Sequence, residues 1–247
     1  MAAPTPVLAP VLQVIAMHGW AGTAASWDPW LPAARDRGWS WSSGDRGYGT
    51  APPLLPSWQP RGLRVLIAHS LGIHLLPPEL LAAAECVVVL AGFGRFVPPG
   101  RQGRPLRSAL AAMDAALADT PDPTASALRA QALLRDFLVQ AAAPDPVSLM
   151  PPGPADQPLN AAARQLLRRD LALLAATADL PAGFPEGVPV LLVEAGDDHI
   201  VAPAARELLA HRLPRAERIV LPGAGHAFLT TPPQAAVLEW LQRILAP

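Results

Sequence analysis

The stretch "VLIAHSLGIHLL", Val65 to Leu76, carries four apolar residues straight into His69-Ser70-Leu71-Gly72 and on into a leucine-bearing segment without a turn signal. A short continuous apolar run fits a fully buried strand, and here it breaks directly into helical spacing. A serine at such a break is lifted out of the C-terminal edge of the sheet, where open α/β sheets bind their ligands. The amide of the next residue, Leu71, points into the same space. Small residues two before and two after the serine relieve crowding at so sharp a turn, and Ala68 and Gly72 hold those places. The pattern A-H-S-L-G is thus G-x-S-x-G with alanine for the first glycine. A helix N-cap is the ordinary alternative for such a serine. What separates the two is whether a base and an acid follow it on the chain.

Working outward, similar apolar runs occur at Val11–Met17, Leu63–Ala68, Cys86–Ala91, Val188–Glu194 and Arg218–Leu221, with Trp39–Ser43 a weaker sixth. Such runs suit strands of a parallel sheet covered on both faces. Helical stretches lie between most of them, at Gly72–Ala84, Pro203–Leu213 and Pro233–Leu245. Strand–helix alternation predicts an α/β protein with a doubly wound, mostly parallel sheet. Between Gly92 and Leu180 the alternation stops. Leu106, Leu110, Met113 and Leu117 recur at helical spacing, then Leu128, Leu134, Phe137 and Leu138, then Leu166, Leu167, Leu171 and Leu174. Thr124 is placed at the N-cap of the second helix, and the third begins near Asn160. Residues 1–91 and 181–247 then form the core, and 92–180 a helical insertion placed like a lid.

Composition narrows the function classes. Half of the 247 residues are hydrophobic and the formal charge is −1, so nothing favours nucleic acid or an anionic membrane surface. Every basic residue is arginine. Cys86 is the single cysteine, set in an apolar run, and reads as a buried structural thiol. The six histidines lack metal-ligand spacing, so neither metal nor organic cofactor is expected. The N-terminal stretch has no positively charged segment before its apolar part, and no apolar run reaches the ~18 residues of a membrane span. A cytoplasmic protein is the expectation. Arg95, Arg101, Arg104 and Arg107 have no acid between Glu85 and Asp114. They read as a solvated loop or, more sharply, as a dock for an acidic partner.

A serine hydroxyl needs a base, and the base an orienting acid. His226, in "LPGAGHAFL" just after the last strand, sits on a glycine-rich loop able to present it. The acid lies in "VLLVEAGDDHIV"; Asp198 is favoured by its spacing to the following helix, with Asp197 the alternative. The order Ser70, Asp198, His226 is that of a hydrolase built on a nucleophile elbow. A second oxyanion donor belongs on the loop after the first strand, where His18-Gly19-Trp20 stands, and the amide of Trp20 is the candidate beside that of Leu71. The Trp20 indole would then floor an acyl pocket. His18, His69 and His74 read as structural, and Asp45 as a turn former.

These segments, with "DRGYG" at Asp45–Gly49, "GDDHIV" and "GAGHAFLTTP", resemble the α/β-hydrolase superfamily over nearly the whole chain. Within it, "HGW", "LLRDFL", "RDLALLAATADL" and "HAFLTTP" resemble the pimeloyl-[acyl-carrier protein] methyl ester carboxylesterases of biotin synthesis. The resemblance implies Ser70 as nucleophile, Asp198 and His226 as its relay, and the amides of Trp20 and Leu71 as oxyanion hole. It implies Phe137 in the acyl channel and lid arginines that hold an acyl-carrier protein, for which Arg129, Arg135, Arg164, Arg168 and Arg169 are available. A serine carboxylesterase follows, with a generic short-chain esterase, thioesterase or acyltransferase, or a non-catalytic binding protein, as alternatives.

Overall fold

The computed structural model describes residues 12–245. Val11 and the N-terminal stretch read for a targeting signal lie outside the described residues. Six strands form one sheet: β1 (Leu12–Met17), β2 (Ser40–Gly44), β3 (Leu63–His69), β4 (Cys86–Leu90), β5 (Val190–Ala195) and β6 (Glu217–Leu221). All neighbours are parallel, in the order β2-β1-β3-β4-β5-β6. The weakest sequence signal, around Trp41, became the edge strand β2.

Strand alternation explains why the apolar runs are continuous. Leu12, Val14 and Ala16 of β1 join Val65 and Ile67 of β3, Val88 of β4 and Val193 of β5 on one face. Ile15, Met17, Leu66, Ala68, Val87, Val89 and Leu192 turn to the other. Trp27 and Trp30, from the 3-10 segment Ala24–Trp30 ahead of α1 (Leu31–Asp36), cover the first face together with Val237, Trp240 and Leu241 of α7 (Gln234–Leu245). Leu80 and Leu81 of α2 (Pro78–Ala82) and Leu209 of α6 (Pro203–Arg212) cover the second. Each fully buried Val, Leu or Ile among them contributes about 1.5–3 kcal/mol by burial.

Strand order reverses between β1, whose successor lies on one side, and β3, which lies on the other. A crevice opens at such a switch point beyond the carboxyl ends of the strands. Met17 pairs with Ala68 there, which places the loop after β1 directly beside Ser70.

The segment after Ser70 departs from expectation. Instead of one helix over Gly72–Ala84, a 3-10 turn at Ser70–His74 gives way to the short α2. The tandem Pro77-Pro78 is the reason. Proline disfavours helical backbone in the residue before it, and Pro77 itself is extended, at φ −62° and ψ 145°.

Three helices do fill the insertion: α3 (Arg104–Leu117), α4 (Pro123–Ala142) and α5 (Ala161–Ala176). Asp122, not Thr124, caps α4; its carboxylate accepts from the amides of Thr124 and Ala125 at 2.8 and 3.2 Å. Pro123 explains the shift, since proline belongs at the first helical position and leaves the cap to its predecessor. Asn160 caps α5 as expected. Leu110, Leu117, Leu134, Leu167 and Leu171 pack with Trp20, Leu71 and Phe93 into a third cluster over the sheet's end, whereas Leu128 is exposed. No helix among the described residues is long and apolar enough to cross a membrane.

Candidate active site

Ser70 follows the last residue of β3 and has φ +54°, left-handed backbone that a side-chain-bearing residue rarely adopts. Such a conformation costs about 1–3 kcal/mol and persists only where the surroundings impose it. Here they do: a Cβ on Gly72 would lie 2.4 Å from the Met17 carbonyl oxygen, so β1 presses directly on the turn. The loop after β1 is equally close, since a Cβ on Gly19 would lie 2.8 Å from Ser70 Cβ. Leu71 is the second residue of the 3-10 segment Ser70–His74, and the first amides of a helix have no intrahelical acceptor. Among the described residues neither its amide nor that of Trp20 has a backbone partner.

His226 stands on the loop after β6. Its Nδ1–H donates to Asp198 Oδ2 at 2.9 Å, and both side chains are buried. Asp198 Oδ1 accepts the amides of Ile200 and Val201 at 2.7 and 2.9 Å. Burial alone would raise this carboxyl. The charge of His226, its hydrogen bond and the two amides outweigh that and hold Asp198 below the ordinary carboxylate range. Asp197 is exposed and its amide donates to the Ala224 carbonyl, so of the two acids only Asp198 reaches His226. Ser70 and His226 border one cavity of about 370 Å³. The two side chains are not hydrogen-bonded to each other in this structure; in unliganded sites this contact is often long and closes around substrate.

The cavity has apolar walls. Trp20 and Phe137 meet edge to face at 4.9 Å, and Leu138, Ala141, Met150 and Phe228 continue the surface. No arginine, aspartate or glutamate borders it. The Trp20 indole N–H donates to the Leu167 carbonyl of α5 at 2.9 Å, so this wall is also a tie to the insertion.

Three further histidines, His18 buried and His69 and His74 half-buried, make structural contacts. His18 donates from Nδ1 to the Gly19 carbonyl at 2.7 Å and accepts the Arg46 amide at Nε2, and burial lowers its pKa. His69 donates from Nε2 to the His226 carbonyl at 2.9 Å. Burial first, then the nearby His226 charge, push it down to about 3. His74 donates to the Phe93 carbonyl and stacks on that ring. Asp45 forms the expected turn, accepting from Gly47 and Ala24.

The arginines fall elsewhere. Arg129 is exposed and donates to the Ala116 and Ala118 carbonyls, closing the C-terminus of α3. Arg135 is exposed on α4, and neither residue borders the cavity. Arg164 and Arg168 pair with Asp119 and Asp114. The helix that carries them must be held to the sheet, and a different arginine does this. Arg46 grips Asp170 through two bonds of 2.7 and 2.8 Å while Tyr48 donates to the same carboxylate at 2.8 Å. This clamp escaped the sequence reading although both segments were singled out. Its partners lie 124 residues apart, and no local pattern links them.

No protein-family model matches the chain, and no curated protein matches it. Solved structures do. An esterase from Exiguobacterium antarcticum superposes with a TM-score of 0.69 at 14% identity, over 96% of this chain and 93% of that one. A bromoperoxidase from Bacillus anthracis gives 0.67 at 16%, covering 94% and 92%. An E-2-(acetamidomethylene)succinate hydrolase gives 0.59 at 20%, covering 96% and 92%. The chain therefore has the α/β-hydrolase fold.

Proposed function

We propose that the protein is a serine carboxylesterase. The observation that carries this is Ser70, forced into left-handed backbone at the end of β3, sharing one apolar cavity with the hydrogen-bonded pair His226–Asp198. In the proposed reaction His226 takes the proton of Ser70 as Oγ attacks an ester carbonyl. The amides of Trp20 and Leu71 receive the oxyanion, an interaction of about 3 kcal/mol per donor in comparable sites. Asp198 keeps His226 in the tautomer with Nδ1 protonated and stabilises the imidazolium. Alcohol leaves with that proton, and water, activated by the same ring, frees the acid.

The finer proposal is that the acyl group is a carrier-bound pimeloyl methyl ester. Its support is the sequence resemblance and a mainly apolar cavity that no arginine, aspartate or glutamate among the described residues borders, suited to an aliphatic chain. Carrier docking would fall to Arg101, Arg104 and Arg135, which are exposed. The placement of Arg129, Arg164 and Arg168 in bonds within the insertion favours a second reading, an esterase for small neutral esters with no carrier.

A fluorophosphonate probe tests the class. Labelling confined to Ser70 and lost in Ser70→Ala is the expected result, and an unlabelled folded protein would mean a non-catalytic binding module. Restoration of biotin-independent growth in cells lacking their pimeloyl-ester esterase tests the substrate. Hydrolysis of p-nitrophenyl esters without such rescue would favour the second reading.

A further inference from the structure

The loop that carries His226 is fixed to the insertion as well as to the sheet, at the C-terminal end of α4. Ala227 donates its amide to the Ala141 carbonyl at 3.0 Å. That carbonyl belongs to the last turn of α4 and has no acceptor role inside the helix. Thr230 closes the contact further along, donating from Oγ1 and from its amide to the Asp145 carboxylate at 2.5 and 3.1 Å. On the other side of His226, Gly225 lies against the helix end so closely that a Cβ there would stand 2.1 Å from the Ala143 carbonyl oxygen. Three contacts thus bracket His226 from positions 225, 227 and 230, all with the stretch Ala141–Asp145.

We propose that the end of α4 sets the distance between His226 and Ser70, with Gly225, Thr230 and Asp145 as positioning residues for the base. The inference rests on the esterase reading and deepens it. Asp198 fixes the ring's tautomer and tilt, and His69 holds the carbonyl of His226 from the sheet side. Neither sets how far the loop advances over Ser70. The α4 contacts do, because they hold its backbone before and after the histidine. Proton transfer needs heavy atoms within about 3.2 Å, a contact not yet made here. Phe137, Leu138 and Ala141 on the same helix border the cavity. An acyl chain that seats against them therefore acts on α4 and, through its end, on the base. Chain length is then sensed in turnover rather than in binding alone.

The test compares Gly225→Ala, Thr230→Val and Thr230→Ser with the parent, using kcat and KM on p-nitrophenyl butyrate, the rate of fluorophosphonate labelling, and thermal melts. Displacing the loop by an ångström should lower kcat of Gly225→Ala about 100-fold with KM little changed. Loss of one hydrogen bond in Thr230→Val should lower kcat about 5-fold. Thr230→Ser, which keeps the hydroxyl, should recover the parent value, and labelling rates should follow kcat throughout. A folded Gly225→Ala with parental kcat overturns the inference. If that variant does not fold, equal kcat in Thr230→Val and Thr230→Ser overturns it. A parent that neither turns over esters nor labels at Ser70 defeats the esterase reading itself, whereas an active parent with indifferent variants defeats this inference alone.

Discussion

The sheet and the insertion solve the same problem, burial of apolar surface, by different means. In the sheet both faces of every central strand are covered, and side chains alternate between two continuous clusters. The insertion shares one apolar cluster with Trp20 and Leu71 at the sheet's end and is secured there further by separate polar ties: Arg46 and Tyr48 to Asp170, Trp20 to Leu167, and the His226 loop to α4. A distributed core fails as a whole, while discrete ties can fail one at a time. The difference divides the labour in the proposed enzyme. Ser70, Asp198 and His226 stand on turns that leave the sheet, and the insertion shapes the cavity over them.

The sharpest way to break this division is at Ser70. Ser70→Ala should lower kcat on p-nitrophenyl esters by roughly 10⁴-fold or more while leaving the melting temperature near that of the parent. Ser70→Gly should be equally inactive but more stable by about 1 kcal/mol, because glycine adopts φ +54° without strain. Chemical denaturation measures this. A glycine variant no more stable than the alanine variant would mean that the turn is not strained.

Next in size are two stability changes that should behave differently. Ile67→Ala, at a fully buried position of β3, should cost about 3 kcal/mol and lower hydrogen-exchange protection throughout the molecule. Asp170→Asn leaves Arg46 without its full partner. Breaking a buried pair costs about 3–5 kcal/mol, reduced here because Arg46 is one-third exposed. Its protection loss should concentrate in α5 and spare β3 and β4. Uniform loss in both variants would mean that insertion and sheet unfold as one unit.

A smaller effect separates the two regions by pH. His69, at the end of β3, is held near 3 against an ordinary 6.5, by burial and then by the His226 charge. Between those values the unfolded chain binds a proton that the folded one refuses, so stability falls as pH drops through this window and is unaffected above it. His18 and His74, lowered chiefly by burial, act in the same sense. Asp198, whose carboxyl is depressed, contributes stability above its ordinary 3.8 that is lost only at lower pH. His69→Gln keeps an N–H toward the His226 carbonyl and should flatten the decline in melting temperature between about pH 6 and 4.5. An unchanged slope would mean that His69 does not resist protonation in the folded state.

What the sequence disclosed follows the same division. Apolar periodicity is local, so the five strong strands, the edge strand near Trp41 and, apart from the exposed Leu128, the helix faces of the insertion were readable. The turn at Ser70 was readable because its small neighbours, Ala68 and Gly72, form a short pattern around it, although the contact that demands Gly72 comes from the Met17 carbonyl of β1. The long helix expected after Ser70 fails on Pro77-Pro78, where two adjacent prolines break the helical run that leucine spacing alone suggests. The Arg46–Asp170 clamp and the bracket around His226 were invisible for another reason. Each joins residues far apart on the chain, and polar ties leave no period to detect. Arg129 and Arg135 were named through resemblance alone, and a surface arginine on a helix carries no signal of which way it turns.

Arg129 supplies the smallest test and the most direct one of that last point. Its guanidinium donates to two carbonyls at the end of α3, so its work is to satisfy acceptors that the helix leaves open. Arg129→Ala removes an exposed bond set, and water can replace it, so the loss should be about 0.5–1 kcal/mol. Turnover of small esters should not change, because the residue lies away from the cavity. Its effect on a carrier-bound ester discriminates further. If KM for that substrate stays at the parental value while Arg135→Glu raises it, docking uses the free arginine of α4 and not the one committed to α3. A rise in both variants would place Arg129 on the docking surface despite its carbonyl partners, and the insertion would then bind a partner with the same side chain that closes its first helix.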